Sequence, residues 1–391
     1  MLTVRLVAAL ALLAPLILAQ QARKWSAAEV MRVHRSALLI DTHNDVTSET
    51  VTGLDLGVAR QTGHTDIPRM KQGGMAAQFF AAYVSPTTIA KGTSAHGVLR
   101  MIDTIRTGIV ARHPESFVLA TTAAQIERAP RSGRMAALIG IEGGHAIEND
   151  LHLLRAYYGL GVRYMTLTHG ADLDWAGSSG DVTNKGLSDF GRQVIAEMNH
   201  LGMMVDIAHV SDRTFWDVIA ASKAPVFSSH SSCRALSNIP RNMTDDMIRA
   251  VAKSGGVVQI NFGCEFLSQQ SADTSAWTNP AVAKAAADAT ASIADPVGRQ
   301  KAIDNWLAAR MHQATIDDVV AQIDHVRQVA GVDHIGLGSD FDGVSCVPKG
   351  LEDVSQWPNL TRRLLERGYT PSDIRKVYGA NFLRFMKAVE R

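Results

Sequence analysis

Five stretches decide how this chain folds: LLIDTHND (38–45), ALIGIEGG (137–144), MMVDIAH (203–209), PVFSSHS (225–231) and HIGLGSD (334–340). Each runs apolar and strand-like, then stops on residues able to bind a metal: His43 and Asp45, Glu142, His209, His230, and Asp340. Near-continuous apolarity marks strands buried on both faces, as in a parallel sheet covered by helices. Ligand residues at the ends of several such strands, spread along the whole chain, are how a parallel β/α barrel assembles a site at one mouth. Three imidazoles and three carboxylates suit two zinc ions bridged by a carboxylate. The pattern points to a binuclear metallohydrolase.

Working outward, strand candidates fall at 37–41, 76–83, 135–141, 164–168, 203–208, 225–229, 256–261 and 334–338. Helix patterns lie between them, among others at 93–112, 151–159, 188–201, 212–221 and 244–254. Strands and helices alternating in this number predict an α/β protein with the (β/α)8 TIM barrel fold. An open doubly wound sheet is the alternative, but it gathers its site near two strands at one switch point. An entry helix is expected over 25–36, with Ser26 as N-cap ahead of Ala27-Ala28-Glu29. Residues 264–317 break the spacing. Ala-rich and polar, they read as a helical insertion between strands 7 and 8 beside the mouth, or equally as a surface helix pair. Residues 25–391 are read as one barrel domain.

The bulk composition supports this. Of 391 residues, 46% are hydrophobic, enough for a large core, and 20% are charged, too few for a disordered chain. With Lys+Arg 39 against Asp+Glu 38, a basic nucleic-acid surface has no support. The N-terminal MLTVRLVAALALLAPLILAQ has Arg5, an apolar run and then Gln20, the pattern of a secretory signal peptide over 1–19. The run is short for a spanning helix, so the mature protein is expected to be exported, periplasmic or secreted. Cys233, Cys264 and Cys346 contain no CxxC pair, which excludes a thiolate zinc site by spacing. They allow at most one disulfide, and all three are read as small buried hydrophobes.

The individual residues suggest roles. On an extended segment His43 and Asp45 point to the same side and can share one metal. Glu142 can bridge two cations with its two oxygens, and Gly143 and Gly144 let the backbone crowd in beside it; His145 is a competing ligand. His209 and His230 follow runs too apolar to solvate them. Asp206, opposite in parity to His209, reads as structural. Asp340 is placed to take a proton from a bridging water and pass it to a leaving amine. Asp342 is its rival, with turn formation before Gly343 as its ordinary role, and His334 lies at the wrong end of its strand. His169 is a further ligand or, preferably, a donor to the developing oxyanion. Arg241 suits a substrate carboxylate through its planar fork, against a surface ion pair. His34, His113 and His312 read as solvated.

DTHND, TDIPRM…GGMAAQFFAAYV, GIEGGH, YMTLTH, DIAHVS, SSHS, IPRN followed by TDDMI, and GSDFDG run in this order from Leu38 to Arg384. Together they resemble the membrane dipeptidase (renal dipeptidase) family of zinc peptidases. The resemblance implies a barrel with two zinc ions, His43 and Asp45 on one, His209 and His230 on the other, and Glu142 across both. It also implies Asp340 as acid/base, His169 at the scissile carbonyl oxygen and Arg241 at the substrate carboxylate. The expected reaction is hydrolysis of dipeptides, with a D-residue at the C-terminal position as an open option; a homodimer fits the resemblance. Mammalian members carry a C-terminal lipid anchor, whereas FLRFMKAVER lacks the apolar tail of an anchor signal. The nearest other reading is a barrel hydrolase of lactones, phosphoesters or cyclic amides. Such enzymes typically open with His-x-His and often bridge through a modified Lys, where this chain has His-x-Asp and Glu142. An inactive exported ligand-binding relative would lack a metal or acid/base residue, and none is missing.

Overall fold

Alternate residues of a strand face opposite ways, and here both sets are apolar. The computed structural model describes residues 24–390; the expected leader at 1–19 lies outside them. The strands are β1 (Leu39–Asp41), β2 (Met75–Tyr83), β3 (Phe117–Leu119), β4 (Met135–Glu142), β5 (Val162–Thr166), β6 (Met204–Asp206), β7 (Val226–Phe227), β8 (Val258–Ile260) and β9 (Ile335–Leu337). All pairings between them are parallel, in one run β1-β2-β4-β5-β6-β7 and a second run β8-β9. Two seams close the ring. At one, Ser228 N donates to Val257 O (3.2 Å) and Gln259 N to Ser228 O (3.0 Å); at the other, Thr42 N donates to Leu337 O (3.1 Å). The expected parallel barrel is therefore the observed fold. β3 was not foreseen: it pairs with Met135–Ala137 at the start of β4, below the point where β5 joins at Ile139.

The two faces feed two cores. Phe79, Leu138, Tyr164, Met204 and Phe227 form one cluster, while Phe80, Ile139, Met165, Val205 and Val226, each one position away, pack in another with the surrounding helices. The C-terminal helix Asn381–Val389 joins the first cluster, with Phe382 on Phe79 (5.4 Å between ring centroids) and Phe385 on Phe227 (4.9 Å). Asn381 donates to the carbonyls of Val332 and Ile335, and Arg384 to that of Gly255, so this helix seals the end where β8 and β9 begin. Fully burying one such aromatic stabilises by about 1.5–3 kcal/mol. One glycine shapes this interior. A Cβ on Gly140 of β4 would collide with the Tyr164 ring, so the bare backbone makes room for a side chain that reaches the site.

The helices mostly start where the sequence places them. Ala27–Arg35 opens with the Ser26–Glu29 capping box, Asp189–Leu201 with Ser188, and Asp245–Lys253 with Thr244. The 93–112 pattern is Ser94–Asp103 running on as a π-helical stretch, Thr104–Ala111. Segment 264–317 carries four helices, Cys264–Leu267, Gln269–Thr274, Pro280–Ala289 and Pro296–Ala308. No helix among the described residues is long and apolar enough to cross a membrane.

Two expectations need correction. Cys264 and Cys346 are not merely buried hydrophobes: their Cα atoms lie 5.5 Å apart and they form a disulfide that ties the segment after β8 to the loop after β9. Cys233 alone fits the original reading, buried and free. His34 is not solvated. It shares the buried face of its helix with Val30 and Val33, and bonds Thr361 Oγ1 and Gly73 O, both at 2.8 Å. His113 likewise pairs with Asp55, at 2.7 Å.

Candidate metal centre

The strand ends converge. Among the described residues, three overlapping triads bring candidate ligand atoms within 4.8 Å of one another: His43–Glu142–His230, Glu142–His169–His209 and His43–Asp45–Asp340. Glu142, at the end of β4, lies at the junction. Its Oε2 is 3.6 Å from His43 Nε2, while its Oε1 is 3.0 Å from His209 Nε2 and 3.2 Å from His230 Nε2. His43 Nε2 also faces Asp45 Oδ2 at 3.2 Å and Asp340 Oδ1 at 4.0 Å. The ring of His43 stacks on His230 at 3.7 Å, and His169 stacks on His209 at 4.4 Å. Two glycines allow this crowding. A Cβ on Gly144 would strike the Leu167 carbonyl, and one on Gly343 would strike the carboxylates of Asp45 and Asp340.

The surrounding bonds fix which ring nitrogens are free. Tyr164 Oη donates to the Thr42 carbonyl (3.1 Å), so it accepts from His43 Nδ1 (3.0 Å) and leaves the Nε2 lone pair open. Ser229 Oγ donates to Asp206 Oδ2 (2.5 Å), so it accepts from His230 Nδ1 (2.7 Å), with the same result. His43 Nε2 is buried with no hydrogen-bond partner. Burial, helped by Arg241, keeps His209 well below the usual imidazole value; burial, with His43 and then Arg241, does the same for His230, favouring the neutral form that binds metal. On Glu142 burial opposes the charge, but His43, His169 and the bonds from His209 and His230 hold it well below the ordinary carboxylate range. Burial pushes Asp340 up to about 7, with Asp45 and Glu142 adding against His43. The neutral His209 and His230 imidazoles beside the anionic Glu142 carboxylate fit divalent cations.

Two buried aspartates brace this layer. Asp41 accepts from Ser339 N and Oγ and from His43 N; Asp206 accepts from Ser229 N and Oγ, Thr166 Oγ1 and Ala208 N. Asp206 is structural as its parity suggests, and through Ser229 it also sets His230. His209 and Asp340 leave their strands with φ of 63° and 62°, the left-handed region that L-residues occupy at a cost of about 1–3 kcal/mol. Ser229→Ala removes the acceptor of His230 Nδ1 while leaving all ligands in place. It should weaken metal binding by roughly 10–100-fold. Competition with a chelator of known affinity measures this, and unchanged affinity would refute the orienting role.

Every expected ligand is in the cluster, together with Asp340 and His169, whose Nε2 is 3.8 Å from Glu142 Oε1. His145 is not: its Nε2 bonds the Val84 carbonyl at 2.9 Å, pointing it away. Asp342 accepts from His64 N (2.7 Å) and lies 3.5 Å from Arg60, so it anchors the 60–64 loop while lining the mouth. The cluster opens into a cavity of about 400 Å³ lined also by Tyr83, Glu265, Phe266, Trp277 and Val344. Arg241 lines a neighbouring cavity of about 830 Å³, and the two share Gly170, Ser179, Gly180 and Trp277. Arg241 is 5% exposed, so the surface ion pair is excluded. It donates to Ser231 Oγ and to the His230 carbonyl, both at 2.6 Å, and its Nε has no hydrogen-bond partner. Sequence reasoning passed over Tyr164, Asn261 and Glu265. Ser229 had a signal, since it directly precedes His230.

The family model described as membrane dipeptidase (peptidase family M19) matches residues 27–391. Among solved structures, the chain is similar to the probable dipeptidase PvdM from Pseudomonas aeruginosa, at 25% identity and TM-score 0.78, covering 93% of this chain and 98% of that one. It is also similar to a metallopeptidase from Rhodobacter sphaeroides liganded with a phosphinate mimic of the dipeptide L-Ala-D-Ala, at 26% identity and TM-score 0.73, covering 90% and 99%. With that match over nearly the whole chain and a metal-competent cluster at the barrel mouth, the chain belongs to the membrane dipeptidase family and is a metallo-dipeptidase.

Proposed function

We propose that this dipeptidase works with two zinc ions, one held by His43 and Asp45, the other by His209 and His230, with Glu142 across both. The observation that carries the reading is the split carboxylate, Glu142 Oε2 turned to His43 and Oε1 to His209 and His230. Cations bound there would supply a water acidified from 15.7 toward ~7 as nucleophile, and a Lewis acid for the peptide carbonyl.

The chain's own groups do the rest. Asn261 Nδ2 holds Asp340 Oδ2 at 2.7 Å, leaving Oδ1 on the side of His43 to take the nucleophile's proton and deliver it to the leaving nitrogen. His169 lines the cavity and donates to the carbonyl oxygen as charge develops on it. Arg241 receives the free carboxylate with its remaining N–H groups. The dipeptide mimic bound by the Rhodobacter sphaeroides neighbour supports acceptance of a D-residue at the C-terminal position. The leader pattern at 1–19 and the Cys264–Cys346 disulfide support an exported protein, because disulfides persist in oxidising compartments.

The test is hydrolysis of a panel of L-L and L-D dipeptides, tripeptides and C-terminally amidated dipeptides by metal-loaded protein, beside a chelator-treated control. Chelator-sensitive cleavage of free dipeptides is expected, with amides slower by roughly a hundredfold, as when a buried charge loses its partner. Equal turnover of free and amidated forms would remove Arg241 from its role. No cleavage by protein confirmed to hold two metals would move the reading to lactones, phosphoesters or cyclic amides.

A further inference from the structure

Glu265 lines the cavity of the metal cluster, yet belongs to none of its triads. It is 5% exposed, and its Oε2 is buried with no hydrogen-bond partner. The backbone around it is held firmly. Cys264 is disulfide-bonded to Cys346, the Glu265 carbonyl accepts from Ser237 Oγ at 2.6 Å, and Phe266 packs edge-on against Trp277 at 5.3 Å. Burial, with Asp340 adding, pushes its carboxyl up to about 7. A buried carboxylate with one oxygen left unpartnered is unfavourable, and a cationic ligand group would relieve it.

The position says which group. Glu265 and Arg241 both neighbour Phe266: Glu265 precedes it in the chain, and the Arg241 guanidinium sits 5.6 Å from its ring centroid. Glu265 opens to the metal cavity and Arg241 to the adjoining one. A zwitterion of two residues, spanning roughly 7 Å when extended, carries opposite charges at its two ends. A group this buried and this near Asp340 suits a short cation on the reacting backbone better than the tip of a long side chain.

We propose that Glu265 receives the α-ammonium group of the substrate's N-terminal residue, completing a charge pair with Arg241 that restricts the site to dipeptides. This rests on the dipeptidase reading above. The experiment compares the best-cleaved dipeptide of that panel with its des-amino analogue, in which hydrogen replaces the α-amino group, on wild-type and Glu265→Gln protein of verified metal content. Wild type should favour the free dipeptide by about 30-fold or more in kcat/KM. Glu265→Gln should lose most of that preference through KM, while its turnover of the analogue stays near wild type. Equal turnover of both substrates by wild type overturns the proposal without any variant. An unchanged preference in Glu265→Gln, or an equal loss on both substrates, overturns it too. Failure of wild type to cleave any dipeptide sinks the dipeptidase reading itself, a result distinct from all of these.

Discussion

Glu142→Ala should leave a protein that folds but retains fewer than two metal ions after dialysis, with turnover down by more than about a thousandfold. The metal contribution to charge stabilisation is worth several kcal/mol, and each ~1.4 kcal/mol is tenfold in rate. The effect should be this large because Glu142 is the only carboxylate common to two of the triads, and it belongs to both halves of the cluster. Without it, His209 and His230, whose Nε2 atoms are 3.0 Å apart, keep no anion between them and His43. The fold should survive, since the hydrogen bonds that orient His43 and His230 run through Tyr164, Ser229 and Asp206 instead. Metal analysis and activity are both needed. A Glu142→Ala protein that still holds two ions would sink the bridging assignment, whatever its activity.

Much of this centre was legible because each ligand closes a run of residues that only a doubly covered parallel strand explains. LID (39–41) before His43 and ALIGI before Glu142 have no solvent face, so a polar residue at their end has to be at a mouth. What stayed hidden depends on contacts across the barrel. Nothing in the spacing says that Tyr164 lies under His43, because that pairing needs the β4–β5 register and the space left by Gly140. β3 is three residues long and carries no period of its own. The Cys264–Cys346 pair joins residues 82 apart, and sequence cannot choose among the pairings of three cysteines. The left-handed turns at His209 and Asp340 were also invisible, since neither is a glycine. Glu265 sat in a segment read only for its composition, and composition does not show which carboxylate turns inward.

Asp340→Asn should keep the metals and lose the proton transfer. General acid–base catalysis is worth typically 10²–10⁴-fold, so kcat should fall by about that factor. Asparagine keeps the shape of the side chain, and its amide oxygen can accept from Asn261 Nδ2 as Asp340 Oδ2 does at 2.7 Å. The competing role is specific: Asp340 Oδ1 is in a triad with His43 and Asp45, so it could be a ligand instead. Metal content separates the two, because an acid/base group leaves two ions in place and a ligand does not. The leaving group separates them further. If Asp340 protonates the departing nitrogen, a dipeptide analogue ending in an aminobenzoate, whose aniline nitrogen is weakly basic, needs that proton less and should lose much less than an ordinary dipeptide. Equal losses on both substrates, with full metal content, would show that Asp340 does not deliver the proton. The lone proton-transfer task would then fall to His169, the other titratable side chain of the cluster that borders the cavity without being assigned to a metal.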